Sequence, residues 1–457
     1  MNTPKISRYA VLAAILFFIG TLFPYAYAAA DTSLKKLRTL VDVIEFVKEN
    51  YVETTDTDQL ISGALKGVVG ELDDFSQYLN PEDYKALKNE TKGEFGGLGM
   101  RLQMIDDYVT IITPMPNTPA YKAGIMPGDR ILFVDDKDLS DMKLDEAVAL
   151  MRGKVGSKVK LTLSRKNDKG EYVKLPDLTL KRATIVPEVV YSRMLEGKVG
   201  YIYLVDFSGH STEALKKALE SLSKQGMKSL VLDLRFNPGG LLTGAVDTAK
   251  LFLPAGEMIV YTQGRKPEYY QEYKTSGNPD YPDIPMAILI NQGSASASEI
   301  VSGALQDNHR AFIVGQRSFG KASVQQVMPL SGGAGLRLTI AKYYTPSGKL
   351  IHRNYRDKTK EDEGGIWPDV EVIVPAEDEV KVVMQYNNIV YTPGQKDHKS
   401  EFKEKDPVLD KAVSILTGKE SLDEAKARTE KDRAERKAKK EEKQAKKAVN
   451  ETKEETK

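Results

Sequence analysis

The chain has 457 residues, a formal net charge of +1 and 41% hydrophobic residues, which is enough for two or three domains with buried cores. A charge this close to neutral gives no indication of nucleic-acid binding. Cysteine is absent, which excludes a disulfide framework, a thiolate nucleophile and a cysteine metal site.

Residues 1–30 have the pattern of an export signal. Lys5 and Arg8 form a basic start, an apolar run extends from Ala10 to Phe23, and Ala26-Tyr27-Ala28 fits a small-x-small cleavage site. Cleavage after Ala30 is an alternative, and so is retention of the run as an uncleaved membrane anchor. Either outcome places the rest of the chain in the periplasm or cell envelope. The lack of cysteine after the run excludes a lipoprotein.

Residues 31–92 are predicted to be helical. Apolar residues recur at spacings of three and four, which gives one apolar stripe: Leu34, Leu37, Leu40, Val41, Ile44, Val47 and Tyr51. A second helix is expected near residues 58–72, and Pro81 stands where a third would begin, at a position that proline favours. The stripe serves either as a helical cap on a sheet or as a surface through which two copies of the chain pair.

Residues 93–168 contain the ordered signals of a small β-domain. A glycine-rich turn and an alternating strand are followed by the turn Pro127-Gly128-Asp129, an amphipathic helix over 145–151 and a strand over 159–164. This order resembles a PDZ domain, a module that binds an extended peptide by adding it to a sheet edge. Consecutive amides in a glycine turn can hold a terminal carboxylate. The expected peptide-binding residues are Gly96, Gly97, Leu98, Gly99 and Met100.

Two features of this region stay open. The glycine turns are also compatible with a small β-domain that binds no peptide. Arg152 follows the amphipathic helix. It either couples this domain to the part of the protein that follows or caps the helix C-terminus, which is the commoner role of arginine there.

Residues 169–384 alternate strands and helices, which is typical of a parallel α/β sheet. Apolar runs predict strands over residues 199–205, 230–234, 286–290 and 311–314. A helix is expected between the last two of these strands. In a parallel strand–helix–strand unit, the start of the helix and the end of the second strand lie at the same sheet edge. Ser296, at the helix start, and Lys321, just past the last strand, are therefore expected to meet there.

A serine with a lysine base is a chemistry that this edge can support. A serine hydroxyl becomes a nucleophile when a neighbouring base takes its proton. The sequence has four histidines but no Gly-x-Ser-x-Gly elbow, whereas a semi-buried lysine can lose its charge and act as the base. Amides at the helix start and in the turn Gly239-Gly240 suit an oxyanion. The alternative is a small-residue helix start beside an exposed loop lysine.

Several motifs together resemble the carboxyl-terminal processing proteases, also called tail-specific proteases. They are GSASASE at 293–299, Gly320-Lys321 with Val324-Gln325-Gln326, RFNPGG at 235–240, YTPSG at 344–348 and WPDV at 367–370. The resemblance covers about residues 35–375. It implies an α/β fold with a crotonase-like or ClpP-like protease core, an inserted PDZ domain and N-terminal helices.

The resemblance also implies a site. Three side chains supply a nucleophile, a base and a group that orients the base: Ser296, Lys321 and Gln325. Ser294 and Ser298 are competing choices for the nucleophile. The implied oxyanion donors are backbone amides of Ala297, Gly239 and Gly240. Ala322 departs from the family pattern, since many relatives have glycine there. No metal or organic cofactor is implied.

The leading interpretation is an exported serine endopeptidase. The PDZ domain would take the free C-terminal tail of a protein or peptide, and the protease core would cut nearby. A homodimer and an adaptor protein of the envelope are candidate partners, and no nucleic acid is expected. One rival interpretation is a catalytically silent PDZ scaffold that holds tails in the envelope. Another is an acyl-CoA enzyme on a crotonase-like sheet, which export disfavours because CoA is cytoplasmic.

Residues 385–457 are expected to form a charged tail, either helical or disordered. Residues 420–457 are mostly Glu, Lys, Ala and Arg of mixed sign, and they carry no apolar stripe for a coiled coil. Binding to peptidoglycan or to a partner protein is a minor alternative for this tail.

Overall fold

The computed structural model describes residues 35–167, 169–353, 363–387 and 404–454. The chain divides into two compact units, each described by itself below. The first runs to Pro81 and includes Val327–Leu338, and the second contains Glu82–Gln326 and the chain from Thr339 onward. The predicted export signal, residues 1–30, lies outside the described residues. Among the described residues, no helix has both the length and the apolar character needed to cross a membrane.

The first unit is mainly helical. It contains α1 (residues 35–50), α2 (Thr57–Gly70) and β1 (Gln77–Leu79). The Asp56 carboxylate caps α2 by accepting the Asp58 amide at 2.9 Å, which satisfies a donor that the first helical turn leaves open. Many apolar side chains of this unit are exposed, including Phe46 at 67% and Val52 at 87%. Four members of the predicted apolar stripe are likewise exposed, namely Leu37, Leu40, Val41 and Tyr51, whereas Ile44 and Val47 are half-buried and Leu34 lies outside the described residues.

The second unit opens with a helix and then a seven-stranded antiparallel sheet. Its elements are α3 (Pro81–Lys92), β2 (Phe95–Gly97), β3 (Met100–Ile105), β4 (Tyr108–Pro114), α4 (Pro119–Lys122), β5 (Arg130–Val134), β6 (Lys137–Asp138), α5 (Leu144–Met151), β7 (Lys158–Lys166), β8 (Tyr172–Lys174) and β9 (Leu178–Lys181). The strand order is β3-β4-β5-β7-β8, with β6 on β5 and β9 on β7. Because β8 and β9 pair with β7, this sheet continues to Lys181, past the predicted boundary at residue 168.

The rest of the second unit is an α/β layer structure. Its elements are β10 (Ala183–Ile185), β11 (Val190–Met194), β12 (Val199–Leu204), α6 (Ser211–Lys224), β13 (Ser229–Asp233), α7 (Leu242–Lys250), β14 (Met258–Gly264), β15 (Gln271–Lys274), β16 (Met286–Ile290), α8 (Ala297–Asp307), β17 (Phe312–Gly315), β18 (Ser323–Pro329), β19 (Gly335–Tyr344), β20 (Val370–Glu371), α9 (Ala376–Asn387), α10 (Pro407–Leu416) and α11 (Leu422–Glu454). Both β18 and β19 include residues of the first unit, where Gly335–Arg337 pairs antiparallel with β1.

One six-stranded sheet forms the centre of this layer structure. Its order is β11-β12-β13-β16-β17-β20, and every pair from β12 to β20 is parallel. Alternate residues of each strand point to opposite faces. Ile288 and Ile290 face a core shared with α6, α7 and α8, whereas Ala287 and Leu289 face a second core on the other side. The predicted parallel α/β fold is thus confirmed.

The second core extends into the predicted C-terminal tail. Val408, Leu409 and Ala412 of α10 and Ala425 of α11 are buried against the face that carries Leu289. Their spacing gives α10 one apolar face directed at the sheet. The predicted boundary between residues 384 and 385 therefore divides a packed layer. The fall in average apolar content near residue 385 concealed this short amphipathic segment.

Candidate active site

The site forms where three neighbouring parallel strands end. After β13, the Leu234 amide donates to Leu289 O at 2.9 Å, and after β17 the Gln316 amide donates to Ile290 O at 3.0 Å. These bonds keep the chain segments beyond the strands side by side. The turn 235–240, the turn 291–296 and the loop 316–321 consequently share one edge of the sheet, as the strand–helix–strand pattern predicted.

A buried carboxylate joins the two predicted catalytic residues. Oε2 of Glu299 accepts the backbone amides of Ser296 and Lys321, each at 2.8 Å. Oε1 accepts the Ser318 hydroxyl at 2.5 Å and the Gly320 amide at 2.6 Å. Burial raises the pKa of Glu299, although these hydrogen bonds pull it in the opposite direction. The backbones of Ser296 and Lys321 therefore lie within two hydrogen-bond lengths of each other.

The three candidate serines have different surroundings. Ser294 and Ser298 are both 0% exposed. The Ser294 hydroxyl donates to Leu234 O at 2.7 Å, and the Ser298 hydroxyl donates to Asn237 O at 2.9 Å. Ser296 is half-buried, precedes α8 and has a φ of 53°, in the left-handed region that non-glycine residues rarely adopt. Backbone strain of this kind persists only where the surrounding structure enforces it. Of the three candidate serines, Ser296 alone has this strained backbone.

Lys321 and Gln325 lie on one extended segment. The Ala322 carbonyl accepts the Tyr343 amide at 2.8 Å, so pairing with β19 begins before β18 itself. Residues four apart on an extended chain point to the same side. The side chains of Lys321 and Gln325 are half-buried, whereas the methyl group of Ala322 packs in the main core. The alanine that departs from the family pattern thus has a packing role here.

The predicted oxyanion amides lie against the turn that contains Ser296, but they are not equivalent. A Cβ built on Gly239 would come within 2.8 Å of both Ala297 N and Ser296 Cβ, so only glycine fits there. The Gly239 amide itself donates to Asn237 Oδ1 at 2.9 Å. Within the described part of the chain, no hydrogen bond is found for the amides of Gly240 and Ala297. These two amides are the better candidates for oxyanion donors.

Sequence reasoning missed the residues that brace this edge. Glu299 stands three residues after Ser296, the spacing of a helix capping box, which is a signal that the sequence does carry. Ser318 gave no such signal. Its hydroxyl donates to Glu299 and accepts the Ile366 amide at 2.6 Å, which ties the WPDV segment to the site.

The PDZ region contains a groove beside β3. Among the described residues, β3 pairs with β4 alone, and α5 forms the opposite wall. The groove is lined by Phe95, Gly97, Leu98, Gly99, Met100, Leu102, Val148, Met151 and Arg152. Four of the five predicted peptide-binding residues therefore line it.

Gly96 lies outside the groove, and Arg152 stands at the C-cap position of α5, the second of its two predicted roles. Gly96 pairs with Thr184, and its carbonyl accepts the Gly153 amide at 3.1 Å, so it belongs to the base of the domain. Arg152, the candidate coupling residue, stacks over the Phe95 ring at 4.6 Å inside the groove. A contact toward the protease sheet comes instead from Arg101 of β3, which donates to the Tyr191 hydroxyl and packs on its ring.

Comparisons with family models agree with this architecture. The model described as "Peptidase family S41" matches residues 198–372, and the PDZ domain model matches residues 88–164. The model described as "Activating protease CtpB N-terminal domain" matches residues 25–83.

Whole proteins of the same kind are similar to most of the chain. The carboxy-terminal-processing protease of Bartonella bacilliformis is 40% identical over 386 residues, 81% of this chain and 85% of that protein. The carboxy-terminal processing protease CtpA of Bacillus subtilis is 35% identical over 392 residues, 85% of this chain and 78% of that protein. The solved photosystem II D1 C-terminal processing protease is 29% identical, with a TM-score of 0.42, over 73% of this chain and 92% of that one. The identities to the first two show that this chain belongs to the carboxy-terminal processing proteases of peptidase family S41, which are serine-type peptidases.

Proposed function

We propose that this peptidase is an exported endopeptidase that cuts proteins near a free C-terminal tail, with Ser296 and Lys321 as a catalytic dyad. The observation that carries the proposal is the Glu299 carboxylate, which holds the amides of Ser296 and Lys321 at 2.8 Å each. A dyad needs its two members at one place, and this carboxylate fixes both main chains there.

The chemistry follows from these residues. Neutral Lys321 accepts the Ser296 hydroxyl proton while Oγ attacks the scissile carbonyl carbon. The amides of Ala297 and Gly240 donate to the oxyanion that develops. Lys321 then gives the proton to the leaving amine, and an acyl-enzyme remains. Water then loses a proton to Lys321 and attacks the ester carbonyl carbon, the bond from that carbon to Ser296 Oγ breaks, and Lys321 returns the proton to Oγ. Gln325 orients the lysine throughout.

The groove beside β3 supports recognition of the tail. A peptide added as a strand along β3 would direct its terminal carboxylate toward the turn Gly97–Gly99, where backbone amides cluster. Arg152 lines the same groove, with its guanidinium over the Phe95 ring, and supplies a positive charge. Met100, Leu102 and Val148 offer an apolar wall for the last side chain. These features favour a tail that ends in a small or apolar residue.

Export and pairing are parts of the same proposal. The sequence pattern of residues 1–30 supports export to the periplasm or cell envelope. The exposed apolar side chains of the first unit, such as Phe46, support a homodimer in which they are covered. Sedimentation of the wild type and of Phe46→Glu, a change that places a charge on this surface, tests the pairing. A monomeric wild type contradicts it.

A serine-reactive phosphonate tests the catalytic proposal. We expect labelling of the full chain on Ser296, no labelling of Ser296→Ala, and unchanged labelling of Ser221→Ala, which removes an exposed serine on α6. Cleavage of a protein with a free C-terminal tail should follow the same pattern. A chain that binds tails through the groove but is neither labelled nor active would instead be the silent scaffold.

A further inference from the structure

Arg235 forms the most enclosed ion pair among the described residues. Its side chain is 0% exposed, and its Nη2 donates to Asp233 Oδ2 at 2.6 Å and to Asp406 Oδ2 at 2.7 Å. A second bond joins Nη1 to Asp406 Oδ1 at 3.0 Å, so the pairing with Asp406 is bidentate. Asp233 also accepts the Tyr201 hydroxyl at 2.8 Å. None of these groups takes part in the proton transfers proposed above.

The guanidinium lies at the base of the turn that carries the oxyanion amides. Phe236, the next residue, has a φ of 57°, and its amide donates to Asn291 Oδ1 at 2.9 Å. Asn237 then accepts the Ala295 amide at 3.0 Å, which joins this turn to the one before Ser296. A backbone with this left-handed φ is strained, so Phe236 keeps it only if the chain before it and the chain after it are both held in place. The anchored Arg235 side chain holds the side that precedes it.

Asp406 reaches this place from the C-terminal layer. It is the N-cap of α10, where Oδ1 accepts the Leu409 amide at 3.0 Å. The same oxygen accepts Arg235 Nη1, so a single carboxylate both starts the helix and binds the arginine. Val408 and Ala412 of that helix are buried in the core on this side of the sheet. Because α10 is packed against the sheet, the position of the Asp406 carboxylate at its start is fixed.

Charge explains why both carboxylates are needed. A buried guanidinium is stable only when it is paired and its donors are satisfied. Asp233 occupies Nε and one Nη atom, and Asp406 occupies both Nη atoms. Glu379 of α9 also faces this group. Burial raises the pKa of Glu379, although a hydrogen bond with the Asn291 side chain and the charge of Arg235 lower it, and the two aspartates add a smaller upward contribution. Loss of Asp406 would remove the two hydrogen bonds that its carboxylate accepts from Nη1 and Nη2 of the guanidinium.

We propose that Asp406 is a positioning residue for peptide hydrolysis, which acts by anchoring Arg235 and, through it, the turn Phe236–Gly240 that carries the oxyanion amides. The inference rests on the proposed function, since it assumes that these amides stabilise the oxyanion. The C-terminal layer, which was predicted from the sequence to be a charged tail, thus helps to shape the active site. The layer contributes no group to the reacting atoms.

Substitution of Asp406 in the full chain tests the proposal. Asp406→Asn keeps the volume and the helix cap, because asparagine is a good N-cap, but its amide directs donors at the guanidinium. We expect kcat to fall by about tenfold or more, as for partial loss of an oxyanion donor, while KM for a tailed substrate changes little. Asp410→Asn, the same change at an exposed position one turn along α10, should match the wild type.

Amide hydrogen exchange gives a second readout that does not depend on activity. In Asp406→Asn, measured well below its Tm, the hydrogen-bonded amides of Phe236, Asn237 and Gly239 should exchange faster than in the wild type, while those of α6 stay protected. Asp406→Ser, which keeps a capping oxygen but is too short to reach Arg235, should behave in the same way if the asparagine variant folds poorly. Both variants, Asp406→Asn and Asp406→Ser, should keep a kcat below that of the wild type.

Two results would overturn the proposal. One is a kcat for Asp406→Asn within about twofold of the wild type, a difference too small for a displaced oxyanion turn. The other is faster exchange spread evenly over the protease sheet, which would make Asp406 a residue of general stability. Failure of the proposed function is distinguishable, because it would leave the wild type itself without peptidase activity while the exchange comparison still reports on the turn.

Discussion

Ser296 and Lys321 donate their backbone amides to the same atom, Oε2 of Glu299, at 2.8 Å each. The helix start and the loop after β17 are thereby held as one piece. Hydrogen bonds to a buried carboxylate are stronger than neutral ones, at about 1.5–3 kcal/mol each. The main chains of the proposed nucleophile and base are therefore held in place without substrate.

Glu299→Gln should reduce kcat by about a hundredfold or more, with little change in KM. One oxygen of the carboxylate would become an NH2 group that faces two donors, so at least two of the four hydrogen bonds would be lost. Steady-state kinetics on a tailed substrate measure this effect. Glu220→Gln, the same substitution at an exposed position of α6, is the control and should retain wild-type activity. Equal activity of the two variants would contradict the bracing role.

Lys321→Ala should abolish turnover about as fully as Ser296→Ala, and the double variant should be little worse than either. Residues that act as one unit are not additive, because the loss of one leaves the other without its function. Lys321→Arg should also be inactive, since a guanidinium does not lose its proton. Single-turnover kinetics measure the acylation step. If Lys321→Ala kept an activity within about tenfold of the wild type, a change of roughly 1.4 kcal/mol in the activation free energy, the proposed dyad would be contradicted.

Ser294→Ala and Ser298→Ala should keep the active-site label but lose stability. Each hydroxyl is buried and donates to a carbonyl of the strand end or turn after β13, so its removal leaves a buried acceptor without this donor. The expected cost is about 1–3 kcal/mol in the free energy of unfolding. Urea denaturation measures the cost, and peptide mapping after phosphonate treatment locates the label. A label on Ser294 or Ser298 in the wild type would reassign the nucleophile.

Amidation of the substrate's terminal carboxyl should lower cleavage by about ten- to a hundredfold, the loss of one charge-assisted contact. Arg152→Met should reduce the preference for the free carboxyl, because it keeps most of the side-chain length and removes the charge beside the groove. Lys154→Met, just beyond the groove, is the matched control. Initial rates on paired free and amidated substrates give the comparison. Equal cleavage of both by the wild type would mean that the groove is not a carboxylate site.

Asp307→Asn should destabilise the protein near neutral pH but not in acid. Burial opposes ionisation of Asp307, yet hydrogen bonds from Thr345 and Ser347 outweigh it and lower its pKa. Its folded pKa lies below the unfolded value, so its contribution is present above pH ~4 and is lost as pH falls through the folded pKa. Urea denaturation at several pH values should show a difference of about 1–3 kcal/mol that disappears in acid. A difference independent of pH would contradict this account.

The sequence predicted the parallel strands and the turns at their ends better than the side chains that brace those turns. The apolar runs after which Ser296 and Lys321 follow are strong signals for buried parallel strands, and the RFNPGG turn was recognisable from its glycines. By contrast, the partners of Arg235 depend on tertiary packing. Asp406 lies 171 residues further along the chain, and no local pattern pairs it with that arginine. The same limit applies to Ser318 and to the Arg101 contact with Tyr191, because single polar residues carry no periodicity.

The pairing of Arg235 with Asp406 also has a consequence for timing during biosynthesis. A chain is made from its N-terminus, and domains fold as they emerge. Ser296, Lys321 and the turn Phe236–Gly240 are made before Asp406, which lies 171 residues after Arg235. Until that segment arrives, Arg235 has only one of its two carboxylates and the turn beside it lacks its anchor. A nascent chain that has not yet reached residue 406 is consequently expected to be less active toward neighbouring chains than one that includes α10.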